Sequence, residues 1–217
     1  IHGTKKRDAV SMPLTRAGPL PAIVFSLPIK MVGFDNSAIF IVAFQCFLLF
    51  LTGLAVRSLA IPFSANPNIL QALVVFNPNL IGLAHHAQSD LLFTVIFTGI
   101  LIVISKVVTD PRKCNLKQFL VLGLFVGMLP LARPIGLPII LSLPFVFGIT
   151  LLLRSLSCRI PVRKLIVYTI VATTLSTSVL VPWALRNYYV LDNFGLSQSQ
   201  AIMLRDQYKF LQKYGIP

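Results

Sequence analysis

Three polar groups stand out in an otherwise apolar chain, and each has the chemistry to hold or process an anion-bearing substrate. In residues 77–93, NPNLIGLAHHAQSDLLF, two histidines and a carboxylate (His85, His86, Asp90) fall within one short turn. Such a set can move a proton or line a polar cavity. In residues 129–138, LPLARPIGLP, Arg133 stands directly before Pro134. Its planar fork matches phosphate oxygens at two points and never deprotonates. In residues 181–195, VPWALRNYYVLDNFG, Trp183, Arg186 and Asn187 follow a long apolar run, offering an aromatic face, a second guanidinium and an amide.

Each group also has a structural reading. Ser89 or Asp90 suits a helix N-cap, Arg133 an interfacial cation whose stem lies along apolar surface, and Trp183 with Tyr188 and Tyr189 an aromatic belt. Adjacent histidines with one aspartate leave a metal short of ligands, so spacing alone specifies no metal. All six acidic residues are Asp (Asp8, Asp35, Asp90, Asp110, Asp192, Asp206), which keeps the list of carboxylates short. Cys46, Cys114 and Cys158 are too scattered for a disulfide framework or a CxxC metal site.

The elements that must position these groups are apolar helices. Of the 217 residues, 56% are hydrophobic and 12% charged, against about 25% charged in soluble domains. The mean hydropathy is +0.83. Charge-free runs measured against the roughly 20 residues that cross a bilayer give six spans. They lie at residues 37–56, 65–83, 91–105, 118–131, 137–153 and 165–184. Unpaired backbone groups cannot face hydrocarbon, and no run alternates with a barrel's period of two, so the expected fold is an all-α polytopic membrane bundle.

Residues 18–34 are apolar but broken by Pro19, Pro21 and Pro28 and too short to cross, which reads as a re-entrant or interfacial helix. Residues 1–17 and 185–217 read as parts of extracytoplasmic loops flanking a core at 35–184, with both chain ends cut. The cations behind the net charge of +13 are densest in short gaps (Arg57; Lys106, Arg112, Lys113 and Lys117; Arg154, Arg159, Arg163 and Lys164), while the two tails carry Lys5, Lys6, Arg7, Arg16, Arg186, Arg205, Lys209 and Lys213 over longer stretches. With six spans these gaps share one side, which the positive-inside rule makes cytoplasmic. The expected partners of the excess charge are the lipid bilayer, its anionic headgroups and lipid phosphates, with no nucleic acid. The location is the cell membrane, multi-pass, with the active face extracytoplasmic.

Taken in order, Arg16–Gly33 (RAGPLPAIVFSLPIKMVG), Asn77–Phe93, Arg133–Leu137 (RPIGL) and Pro182–Tyr188 (PWALRNY) make the chain resemble GT-C superfamily glycosyltransferases. The resemblance is to the bacterial, family 39-like relatives of dolichyl-phosphate-mannose protein mannosyltransferases and of the lipid A aminoarabinose transferase. It covers nearly the whole chain. It implies an inverting transfer of a sugar from a polyprenyl-phosphate donor to a protein, lipid or glycan acceptor at the extracytoplasmic face, with a divalent metal in some members.

It further implies donor-phosphate contacts from Arg133 and Arg186, with His85, His86, Trp183 and Asn187 lining the site and Asp90 as a second carboxylate. The family's main carboxylate lies in a D-[DE] pair, expected upstream of Ile1. His85 and His86 depart from the relatives' pattern. Three other classes fit the same polar groups: an O-antigen ligase or polymerase, a transporter or flippase, and a structural membrane subunit.

Overall fold

The computed structural model describes residues 19–63, 66–85, 88–109, 115–155 and 162–191. Eight α-helices follow in order: α1 (Pro19–Val32), α2 (Phe34–Ala60), α3 (Pro67–Val75), α4 (Pro78–Ala84), α5 (Asp90–Thr109), α6 (Leu116–Ala132), α7 (Leu137–Ser155) and α8 (Val162–Leu191). Short 3₁₀ turns at Ile61–Phe63 and Pro134–Gly136 complete the described elements, and no strand occurs among them. The all-α class is therefore correct.

Among the described residues, three helices are long and apolar enough to cross a membrane, over Asn36–Ala60, Asp90–Thr109 and Arg163–Tyr189. α6 is shorter, yet it is the most enclosed: Phe119, Leu122, Val126, Leu129 and Ala132 on it are fully buried. α5 and α8 pack against it, and α2 packs on α5.

The residue range 65–83, read from the sequence as one span, is two helices of nine and seven residues. The cause is a repeated Asn-Pro-Asn. Asn66 and Asn77 both adopt extended backbone before a proline, which disfavours helical geometry at the preceding residue. Each asparagine side chain then accepts from two backbone N–H groups of the helix it opens, at 2.9–3.4 Å. The proline sits where a missing N–H costs nothing, so each repeat starts a new helix.

Other boundaries also moved. α5 runs on through Lys106 to Thr109, since a lysine at a helix end keeps its stem in apolar surroundings. α8 continues to Leu191, so residues 185–191, assigned to a loop, are helical. The hydroxyls of Thr169, Thr173, Ser176, Thr177 and Ser178 on α8 donate to carbonyls three or four residues back, which satisfies them without water. The loop readings at 1–17 and 192–217, and Arg112, Lys113, Cys114, Cys158 and Arg159, lie outside the described residues.

The close approach of α6 and α8 depends on small residues. A Cβ at Gly123 would stand 2.6 Å from the Ala172 carbonyl oxygen, and one at Gly127 would stand 2.7 Å from that of Ser176. Both contacts keep the same offset and advance together, so α6 and α8 run parallel, with α7 returning between them. This is a small-xxx-small seam of the kind that lets helix backbones meet. α5 and α6 run antiparallel: Gly99 faces Phe125, and nine residues earlier on α5, Asp90 meets Arg133.

Candidate functional site

The start of α5 and the end of α6 meet at one end of the bundle, and their two charged side chains form an ion pair. The Arg133 guanidinium donates to the Asp90 carboxylate. These residues are 43 apart in the chain and were singled out separately in the sequence. The pair is open to ligands, with side-chain exposures of 44% for Arg133 and 26% for Asp90.

Local structure fixes Arg133 at both backbone ends. Its N–H donates to Leu129 O at 2.9 Å, capping α6, and its carbonyl accepts from Gly136 N–H at 2.9 Å. Between them it is extended (φ −147, ψ 134), as a residue before proline should be. The turn then folds tightly onto α6, where a Cβ at Gly136 would stand 2.8 Å from the Leu129 carbonyl carbon and Pro130 nitrogen. The sequence RPIG thus has one physical reason for each of Arg133, Pro134 and Gly136.

Asp90 is fixed from the other side. Phe93 N–H donates to Ser89 O at 2.9 Å, so Ser89 precedes the first helical turn and Asp90 lies within it. A carboxylate there is favoured by the helix dipole. The residue that anchors this start was not singled out in the sequence. Gln45, fully buried on α2, donates its amide to Gln88 O at 2.8 Å, two residues before Asp90. A glutamine in the middle of an apolar span was the available signal, because burying an amide demands a partner.

Gln45→Met keeps the volume and removes the donor. It is expected to destabilise the protein by about 1 kcal/mol, the net contribution of one hydrogen bond. The shift would be read in the thermal unfolding of the detergent-solubilised protein.

Arg186 belongs to a second group at the same end. Its guanidinium lies 4.6 Å from the Trp183 ring centroid and donates to Asn187 Oδ1 at 3.1 Å, with Asn187 itself buried. Cation–π contact and the amide hold the guanidinium flat against α8. Carrying the α6–α8 register outward puts Arg133 level with Pro182. Trp183 and Arg186 therefore sit within about one helical turn beyond it.

α2 begins eleven residues before Gln45, and α8 extends nine residues past Pro182. At 1.5 Å per residue, α2 and α8 run on about 13–16 Å along their own axes past the level of the Asp90–Arg133 pair, which leaves a recess open to solvent. α1 packs against both α2 and α6 beside this recess.

His85 is exposed at the end of α4, and its Nδ1 hydrogen donates to Ile81 O at 2.8 Å, which leaves Nε2 as the available ring atom. Among the described residues it is tied to its own helix and not to the pair. His86 lies outside the described residues. No group of three His, Cys, Asp or Glu that could hold a metal ion occurs among the described residues.

An exposed guanidinium anchored by a carboxylate can hold an anion, and a second guanidinium lies about a turn further out on α8. One N–H of Arg133 is spent on Asp90, and the fork retains further donors for phosphate oxygens. No protein-family model, curated protein or solved structure matches the chain.

Proposed function

We propose that this protein is a multi-pass membrane glycosyltransferase that moves a sugar from a polyprenyl-phosphate donor to an acceptor at the extracytoplasmic face, with inversion. The observation that carries this reading is the recessed Asp90–Arg133 pair, with Arg186 on the same end of the bundle. The family resemblance of the four ordered motifs supports it. The finer topology belongs to the same proposal: α2, α5, α6, α7 and α8 cross the bilayer, and α3 and α4 form a broken segment in place of one continuous span. The basic gaps then face the cytoplasm.

In the proposed reaction the acceptor oxygen attacks the anomeric carbon from the face opposite the phosphate. The bond from that carbon to the phosphate oxygen breaks, and polyprenyl phosphate leaves with both bonding electrons. Arg133 neutralises the charge gained by the leaving phosphate, and Arg186 holds a second oxygen. Asp90, already engaged by Arg133, acts as a positioning residue that fixes the guanidinium. The acceptor's proton passes to the D-[DE] carboxylate that the resemblance implies.

The test is a transfer assay on the full-length protein in liposomes, with a labelled polyprenyl-phosphate sugar and a membrane extract as acceptor source. Label is expected to move from the lipid donor to an acceptor in protein-dependent fashion. Equal label in protein-free liposomes would overturn the reading.

A further inference from the structure

The opposite end of the bundle holds a second cavity, of about 350 Å³, where α2, the following 3₁₀ turn, α5 and α6 meet. Its polar lining is Ser58, Ser105, Lys106, Thr109 and Gln118. Ile61 and Ile102 line its apolar part. The Gln118 side-chain oxygen already accepts from Asn115 N–H at 3.2 Å, so what this amide has left to offer is its NH₂ donor. The Ser58 and Ser105 hydroxyls, the Lys106 ammonium and the Gln118 amide NH₂ put donors along the polar side of a mainly apolar cavity.

The charge around the cavity is one-sided. The described residues of 57–62, 105–109 and 115–118 carry Arg57, Lys106 and Lys117 and no carboxylate. Asp35 and Asp90 stand at the first turns of α2 and α5, at the other end of the bundle. An ammonium beside serine hydroxyls at the polar side of the cavity suits a phosphate. An apolar wall formed by Ile61 and Ile102 suits the first carbons of an acyl chain.

We infer that this cavity binds the phosphate headgroup of an anionic phospholipid from the leaflet at the Lys106 end. The inference rests on the membrane reading but not on sugar transfer, so it stands or falls separately from the glycosyltransferase assignment. The ammonium of Lys106 meets the phosphate, the hydroxyls of Ser58 and Ser105 supply directional donors, and the acyl chains run along the lipid-facing surface beside Ile102.

Native mass spectrometry of the purified protein tests this, with phosphatidylglycerol, phosphatidylcholine or inorganic phosphate added separately. The wild type is expected to retain phosphatidylglycerol over phosphatidylcholine. Lys106→Gln should lower phosphatidylglycerol occupancy about fivefold, the loss expected for one basic side chain at a membrane surface. Ser58→Phe, which adds bulk to the lining and leaves every charge in place, should lower it as well. Arg163→Gln, which removes a cation outside the cavity, should leave it unchanged.

Equal losses in Lys106→Gln and Arg163→Gln would show a diffuse field without a site and overturn the inference. Equal retention of the two lipids would also overturn it. Displacement of the lipid by inorganic phosphate alone would assign the cavity to a soluble phosphate ligand and overturn the lipid assignment.

Discussion

Replacing Arg133 with alanine is expected to lower kcat/KM for sugar transfer about 100-fold or more, the scale of losing one preorganised charge-stabilising donor at a developing anion. Two losses combine. In the proposed reaction the leaving phosphate gives up a charge-assisted contact that forms most strongly as the glycosidic bond breaks, and the Asp90 carboxylate loses its partner. Arg133→Lys separates these effects, because it restores the charge and omits the planar fork.

Lysine should recover only part of the lost rate if two-point contact to the phosphate matters. Asp90→Asn should cost less than Arg133→Ala, since the guanidinium keeps its charge and its backbone anchors at Leu129 and Gly136. The double variant Asp90→Asn with Arg133→Ala should be no worse than Arg133→Ala alone, as expected when one residue acts through the other. Steady-state kinetics on the four forms provide the check.

The second large effect is on folding. Gly127→Leu should destabilise the protein by about 3 kcal/mol or more, at the upper end of overpacking costs. A Cβ at this position would stand 2.7 Å from the Ser176 carbonyl oxygen and 2.8 Å from Val179 Cβ. Neither of these is the end of a flexible chain, and Ser176 is fully buried. Relief requires α8 to move away from α6, which carries the buried core at Phe119, Leu122 and Val126.

Gly148→Ala on α7 is the matched control. A Cβ there meets nothing within 4 Å, and the helix gains about 0.5–1 kcal/mol from alanine's better propensity. Thermal unfolding in detergent, followed by loss of the monodisperse peak, should drop sharply for Gly127→Leu and hold or rise for Gly148→Ala.

Long charge-free runs fix helices without ambiguity, because a membrane admits little else, and so the all-α class was legible from residues 37–56 or 165–184 alone. Helix ends were less legible. A run of apolar residues stops at the first charge, whereas a helix stops where its backbone loses partners. Lys106 therefore lies inside α5, and Arg186 and Asn187 lie inside α8. The break between α3 and α4 was written in the sequence as the repeated Asn66-Pro67-Asn68 and Asn77-Pro78-Asn79. A hydropathy run passes over it, since one Asn-Pro among apolar residues barely lowers the average while it removes the helical geometry entirely.

The site was legible residue by residue but not as an arrangement. Arg133 was marked by the proline after it and Asp90 by its place at a helix start, yet their pairing depends on the antiparallel register of α5 and α6. That register is set by which side chains meet, Gly99 against Phe125 among them, and not by any local pattern. Gln45 was passed over because a single amide in an apolar run looks like tolerance. Its hydrogen bond to Gln88, 43 residues away, is what gives it a role. The Gly123-xxx-Gly127 spacing is local, but its meaning came only with Ala172 and Ser176 opposite it.

The most direct test of the central claim is binding of a polyprenyl-phosphate sugar donor to the full-length protein in lipid nanodiscs, with wild type and Arg133→Ala compared side by side. Saturable binding to the wild type is expected, with a weakening of about 10–100-fold in the variant, the range for losing a hydrogen bond to a charged group. Equal affinity in the two proteins would contradict the assignment of the Asp90–Arg133 pair as the phosphate site.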